Sequence, residues 1–322
     1  MTKSGQAAEE ALRARRFLNA ESTESGVNGP KTMEMFGFNA YSPQEVASLV
    51  QNSGATKARL PLLSQVMLSV LAGAFIGMGA LYFVVIRSDP ALGYAAKQVL
   101  GGVTFCLGLV MVVVAGAELF TGNNLLVMAR ARGLISTTEV LRNWTIVFLG
   151  NLIGTFGLAL LVYLSHHAEM NNGAIEREYL NIAATKMALP FWTAFFRGVL
   201  CNSMVCLGVW MSMAGRSVID KVIAIVFPIS AFVVAGFEHC IANLYFFSMA
   251  LLLHEGSVAV MLPGMLKNVA AVVAGNAIGG SVLVGLVYYL VYIRGLEQAP
   301  DPGNSVNARN LAPPDRRPAS VD

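Results

Sequence analysis

Apolar residues run in six long blocks along this chain, at about Leu62–Ile86, Gln98–Met128, Trp144–Leu164, Leu189–Met213, Val222–Leu253 and Val269–Ile293. A helix needs roughly 20 apolar residues to cross the hydrocarbon of a bilayer. The pattern therefore predicts an all-α membrane protein with six transmembrane helices. A soluble protein would break such runs with polar positions every few residues. Polar sequence flanks the blocks. Residues 1–60 are expected to form a partly disordered N-terminal tail, 61–295 the six-helix domain, and 296–322 a disordered C-terminal tail rich in Pro, Asn, Asp and Arg.

Two blocks depart from the rest. The second and fifth run about 30 residues, and each carries a polar, glycine-containing patch in its middle. In the second it reads Ala115-Gly116-Ala117-Glu118-Leu119-Phe120-Thr121-Gly122-Asn123. In the fifth it reads Ala235-Gly236-Phe237-Glu238-His239-Cys240-Ile241-Ala242-Asn243. Tilt accommodates one over-long helix, but two with matching polar centres predict helices broken at membrane depth. Irregular backbone survives there only when buried in protein or lining a cavity.

The patches also match each other. Val114-Ala115-Gly116-x-Glu118 with Asn123 aligns on Val234-Ala235-Gly236-x-Glu238 with Asn243, position 118 falling on 238. Gly150-Asn151-Leu152-Ile153-Gly154 aligns in the same way on Gly275-Asn276-Ala277-Ile278-Gly279. Two halves of three spans each must face opposite ways, so an inverted 3+3 repeat is expected. Broken helices at matching positions of inverted repeats point to a transport site near the midplane. Small residues such as Gly73 and Gly77 have a simpler explanation in close helix packing. That does not extend to Glu118, Glu238 and His239, since ionisable groups are costly within a membrane and mark function there.

Composition narrows the reading further. Of 322 residues 55% are hydrophobic and 13% charged, against roughly 25% charged in soluble domains. The net charge of +3 gives no reason to expect nucleic acid as a partner. Cys106, Cys201, Cys206 and Cys240 lie inside apolar blocks without metal-like spacing, which suits small packing residues. No cofactor or metal is expected. The first 60 residues are polar, so no secretory signal is read there, and Glu9, Glu10, Glu21 and Glu24 beside Arg13, Arg15 and Arg16 argue against a transit segment. Basic residues beside the spans favour one side, with Lys57, Arg59, Arg130, Arg132, Arg142, Arg216, Lys221 and Arg294 upon it. Both termini are therefore expected in the cytoplasm, with a plasma or bacterial inner membrane as the location. Trp144, Trp192, Tyr288, Tyr289 and Tyr292 fit interfacial belts.

With these motifs in view the sequence resembles the formate/nitrite transporter family. The resemblance rests on Ala117-Glu118-Leu119-Phe120-Thr121-Gly122, Cys201-Asn202-Ser203-Met204-Val205-Cys206-Leu207, Val209-Trp210-Met211-Ser212 and Gly215-Arg216-Ser217. It continues through Gly236-Phe237-Glu238-His239-Cys240-Ile241-Ala242-Asn243 and Gly275-Asn276-x-Ile278-Gly279-Gly280. It implies an aquaporin-like protomer with its own pore, assembled as a homopentamer. Position by position it implies that His239 is the central pore histidine, Thr121 its hydrogen-bond partner, and Asn202 a polar group at the same level. It implies that Lys186 draws anions inward, and that Phe105, Leu109, Leu119, Phe120, Val205 and Phe232 form two apolar constrictions.

The expected function is transmembrane transport of a small monovalent anion with a proton, formate being favoured. Nitrite, hydrosulfide, acetate and lactate remain alternatives within the family. A neutral-solute channel would share the architecture but would carry Asn-Pro-Ala half-helix motifs, and neither break contains proline. An enzyme is not expected, since His239 beside Glu238 makes no triad or ligand cluster. Protonation near His239, or passage of the anion past a charged His239, both fit the residues. Glu118, Glu238, Asn123 and Asn243 are expected to hold the broken loops, with the two carboxylates accepting backbone N–H bonds.

Overall fold

The computed structural model describes residues 40–294. The expected disorder of the tails falls largely on residues 1–39 and 295–322, which lie outside the described residues. Among the described residues all regular structure is helical. Five helices are long and apolar enough to cross a membrane: α2 (Leu62–Arg87), α3 (Tyr94–Ala115), α5 (Thr137–Leu164), α7 (Phe191–Ala214), and α10 (Val258–Ile278) with its continuation to Arg294. The protein is thus an integral membrane protein. The blocks expected at Gln98–Met128 and Val222–Leu253 are each divided. The first becomes α3, a break, a short turn of tight helix at Gly122–Leu125, and α4 (Leu126–Ala131). The second becomes α8 (Val218–Val234) and α9 (Cys240–Leu253), which are separately too short to be counted as spans.

Two further helices lie outside the expected blocks. α6 (Ala174–Ala188) lies between α5 and α7 and ends near Lys186. α1 (Pro43–Ala58) occupies sequence assigned to the N-terminal tail. Its start is specified locally. Ser42 and Glu45 form a reciprocal capping box, and Pro43 sits where its missing N–H costs nothing. α1 buries Val46, Ala47, Val50, Gly54 and Ala58, small side chains whose modest apolarity is invisible to a search for spans. Ala58 packs with Leu126 and Ala129 of α4, and the Tyr41 N–H donates to the Ala214 carbonyl at the end of α7 (3.0 Å).

The helices are held together by close backbone approach. A Cβ at Gly154 of α5 would collide with the Val70 carbonyl of α2, and one at Gly279 would collide with the Val199 carbonyl of α7. These two glycines are equivalent in the repeat. The close approach they permit brings Asn151 and Asn276, one turn earlier, onto the breaks.

Candidate functional site

Each break begins with the same backbone device. Gly116 (φ 80°) and Gly236 (φ 69°) adopt left-handed conformations, which cost glycine little because it has no Cβ. The following N–H closes a wide loop backward, from Ala117 to the Val112 carbonyl (2.9 Å) and from Phe237 to the Phe232 carbonyl (3.0 Å). This is the six-to-one bond that ends many helices. The next N–H turns to a neighbouring helix: Glu118 donates to the Leu68 carbonyl (3.1 Å), Glu238 to the Arg197 carbonyl (3.3 Å).

An asparagine then clamps each break. The Asn151 amide donates to the Ser69 (2.7 Å) and Glu118 (2.9 Å) carbonyls, and its oxygen accepts from Phe120 N–H (2.9 Å). Asn276 donates to the Gly198 (2.8 Å) and Glu238 (3.0 Å) carbonyls and accepts from Cys240 N–H (2.9 Å). Buried backbone groups that the broken helix cannot satisfy are thereby paired.

The glutamates are used differently from the expectation. The carboxylate of Glu118 takes Lys57 Nζ (2.9 Å) and Asn123 Nδ2 (2.6 Å). That of Glu238 takes Lys186 Nζ (2.9 Å) and Asn243 Nδ2 (2.7 Å). Neither accepts a backbone N–H among these bonds, because the carbonyls of adjacent helices and the two clamping asparagines already hold the donors of the breaks. The pattern extends outward in parallel. Asn123 also donates to Asn143 (3.0 Å), whose amide donates to the Lys57 carbonyl (3.2 Å). Asn243 donates to Asn268 (2.8 Å), whose amide donates to the Lys186 carbonyl (3.0 Å). Lys57 and Lys186 are therefore structural counterparts. In the sequence Lys57 marks only orientation, and Asn143 and Asn268 carry no motif of their own. The Gly-Asn repeat that carries Asn151 and Asn276 was the available signal for the clamps.

One hydrogen bond joins the two breaks. His239 is buried and caps α9, its Nδ1 accepting from Ala242 N–H (3.1 Å). Its Nε2 lies 3.1 Å from Thr121 Oγ1. Assigned from the cap, the neutral ring carries its proton on Nε2 and donates to Thr121. A proton on Nδ1 would face the Ala242 N–H, so a charged ring would lose the cap. Asn202 meets the backbone of this junction and not the imidazole. Its Nδ2 lies within hydrogen-bond reach of the carbonyls of Thr121 (3.2 Å) and Asn276 (2.7 Å) and of Asn124 Oδ1 (2.8 Å), leaving its own oxygen buried and unpaired.

Two cavities approach this junction. One of about 620 Å³ is lined by Lys57, Glu118, Asn123, Arg216 and Lys221, with Leu109 and Leu119. The other, of about 190 Å³, is lined by Arg87, Lys186, Arg197, Glu238 and His239, with Phe105 and Phe232. Phe105 meets Phe232 edge to face (5.8 Å between ring centres), and Phe232 stacks on the His239 ring (6.0 Å). Val205 is buried and borders neither cavity. Phe120 borders neither and packs on Trp144 and Phe148. Trp144, expected in an interfacial belt, donates its indole N–H to the Asn123 carbonyl (3.0 Å). Among the described residues no cluster of three or more His, Cys, Asp or Glu could hold a metal ion.

Known proteins are similar to this chain in sequence and fold. The model of the formate/nitrite transporter family matches residues 44–290. The formate channel FocA of Escherichia coli is 34% identical over 274 residues, covering 80% of this chain and 96% of FocA. A probable formate transporter of Methanothermobacter thermautotrophicus is 33% identical over 285 residues, covering 80% of this chain and 99% of that protein. Among solved structures, a pentameric formate channel with formate bound superposes with a TM-score of 0.64 at 33% identity, covering 72% of this chain and 98% of that one. A second, an FNT family ion channel, superposes with a TM-score of 0.70 at 29% identity, over 77% of this chain and 98% of the other. These relatives are channels and transporters and not enzymes. The matched span, the two glycine-centred breaks and the relatives agree: the chain belongs to the formate/nitrite transporter family.

Proposed function

We propose that this protein carries a small monovalent anion, formate before nitrite, across the membrane together with a proton. Six spans form an inverted 3+3 repeat, α3–α4 and α8–α9 each counting as one broken span. Each protomer of a homopentamer has its own pathway, and both termini face the cytoplasm. The observation that carries the reading is the His239–Thr121 bond (3.1 Å) between two charged cavities with apolar side chains packed around it.

Formate is ionised at neutral pH, and an unpaired charge is costly to bring into an apolar centre. The same cost raises the anion's affinity for a proton as it enters. The proton reaches it from the His239–Thr121 pair or a connected water, and neutral formic acid passes Phe105, Leu109, Leu119, Phe120, Val205 and Phe232. The Ala242 cap on Nδ1 weighs against a standing charge on His239. Lys186 and Lys57 face the cavities, but each is matched by a glutamate.

Purified protein in liposomes should take up labelled formate with acidification of the lumen, and nitrite should compete. His239→Asn, which keeps a side chain able to cap α9, should uncouple uptake from the proton. Absence of both formate and nitrite flux in the wild type would overturn the reading.

A further inference from the structure

The smaller cavity has a charge imbalance that the ion pairs reveal. Arg87 Nε is bound to Glu178 Oε1 (3.0 Å), and its Nη1 to Gln98. Lys186 is bound to Glu238 (2.9 Å) and lies over the Phe246 ring. Each of these cations has its own carboxylate. Arg197 lines the same cavity, half-buried within α7, and no described residue pairs with its guanidinium. It is therefore the unmatched positive charge among the described residues lining that cavity.

The position of Arg197 is fixed from behind. Its carbonyl accepts the Glu238 N–H that forms the second break (3.3 Å), and the Gly198 carbonyl accepts from the Asn276 clamp. The backbone is thus tied to the segment that carries His239. A partly buried arginine that lines a cavity and has no carboxylate of its own keeps its charge available to an anion that enters. Its planar fork offers two parallel N–H donors, a geometry suited to an anion with two oxygens on one atom. A compact ammonium offers charge without that fork.

We propose that Arg197 is the capture site for a two-oxygen monoanion, a carboxylate or nitrite, in the cavity below His239, and that Lys186 serves chiefly to hold Glu238. The site rests on the transport reading above and adds to it a basis for choosing among anions. An anion with a single acceptor atom, such as hydrosulfide, gains the charge of Arg197 but not the paired hydrogen bonds.

The test compares wild type, Arg197→Gln and Arg197→Lys in vesicles of uniform orientation, with formate or hydrosulfide presented on the Arg197 side. Arg197→Gln should raise the half-saturating formate concentration about tenfold, as expected for loss of a charge-assisted bond, with little change in maximal rate. Added salt should weaken saturation in the wild type and not in this variant. Arg197→Lys should keep the salt response and lose preference for formate over hydrosulfide by a few-fold. An unchanged half-saturating concentration in Arg197→Gln would overturn the proposal. Should that variant fail to assemble, an unchanged formate-to-hydrosulfide preference in Arg197→Lys would overturn it instead. Wild-type vesicles that carry neither formate nor nitrite would sink the transport reading itself, an outcome distinct from a silent Arg197.

Discussion

Replacing Lys186 by Met isolates the energetic role of the buried ion pair. In the wild type the Glu238 side chain is 5% exposed and receives Lys186 Nζ at 2.9 Å and Asn243 Nδ2 at 2.7 Å. Lys186→Met leaves that carboxylate charged, enclosed and served mainly by one neutral amide. Breaking a buried pair from one side costs about 3–5 kcal/mol. The remaining Asn243 bond and the 15% exposure of Lys186 point to the lower end, about 3 kcal/mol. At about 2–4 °C per kcal/mol this is a fall in Tm of about 6–12 °C. The double variant Lys186→Met with Glu238→Gln removes the stranded charge while keeping an oxygen for Asn243, so it should recover about 2 kcal/mol relative to the single variant. Thermal unfolding of the detergent-solubilised protein, followed by size-exclusion chromatography, measures all forms. A double variant as unstable as the sum of the two single ones would refute the pairing argument.

Three other perturbations test separate parts of the structure. Asn276→Leu strands Cys240 N–H and the Glu238 carbonyl and should cost about 2–4 kcal/mol in the same unfolding assay, with Asn151→Leu giving a matching loss. Gly154→Ala drives a methyl group into the Val70 carbonyl and should cost about 1–3 kcal/mol, whereas Gly157→Ala, which meets nothing within 4 Å, should leave Tm nearly unchanged. Glu45 is held below its ordinary value of 4.5, first by the Ser42 backbone N–H and then by the Ser42 hydroxyl. Its folded pKa lies under its unfolded one, so its contribution to α1 is present above about 4.5 and is lost as pH falls through the folded value. A nitroxide at Gln44→Cys should gain mobility as pH falls below about 4.5 in the wild-type background and be mobile at all pH with Glu45→Ala, which removes the accepting oxygen. The four native cysteines are buried and compete poorly for the label.

Much of this was legible in the chain because membranes impose simple rules. A run of apolar residues such as Leu62–Ile86 has few alternatives to a helix, and a glycine beside a buried glutamate in the middle of such a run marks a break. The Gly-Asn repeat pairs Asn151 with Asn276, and the two make matching bonds on the two breaks. Other features were hidden by physics that hydropathy does not measure. α1 buries mostly small side chains, so its polar face dominated the reading of residues 43–58. Lys57 looked like a membrane-flanking cation because its partner Glu118 lies 61 positions away and only folding brings the two to 2.9 Å. Trp144 has the amphipathic ring of a belt residue, but its N–H serves a buried carbonyl. Arg197 stood as one basic residue in an apolar run, and its meaning depends on the pairing of the cations around it.

The unequal spacing of the two contact networks has its own consequence for where the chain can change. From Leu68 to Glu118 is 50 positions and from Arg197 to Glu238 is 41, yet each pair ends in the same N–H to carbonyl bond. From Asn123 to Asn143 is 20 positions and from Asn243 to Asn268 is 25, again joined by the same amide bond. The lengths of chain between these points differ while the bonds at their ends are the same. The tolerance resides in helix ends and links, such as residues 88–93 between α2 and α3, which are the natural places for an inserted tag or a grafted loop.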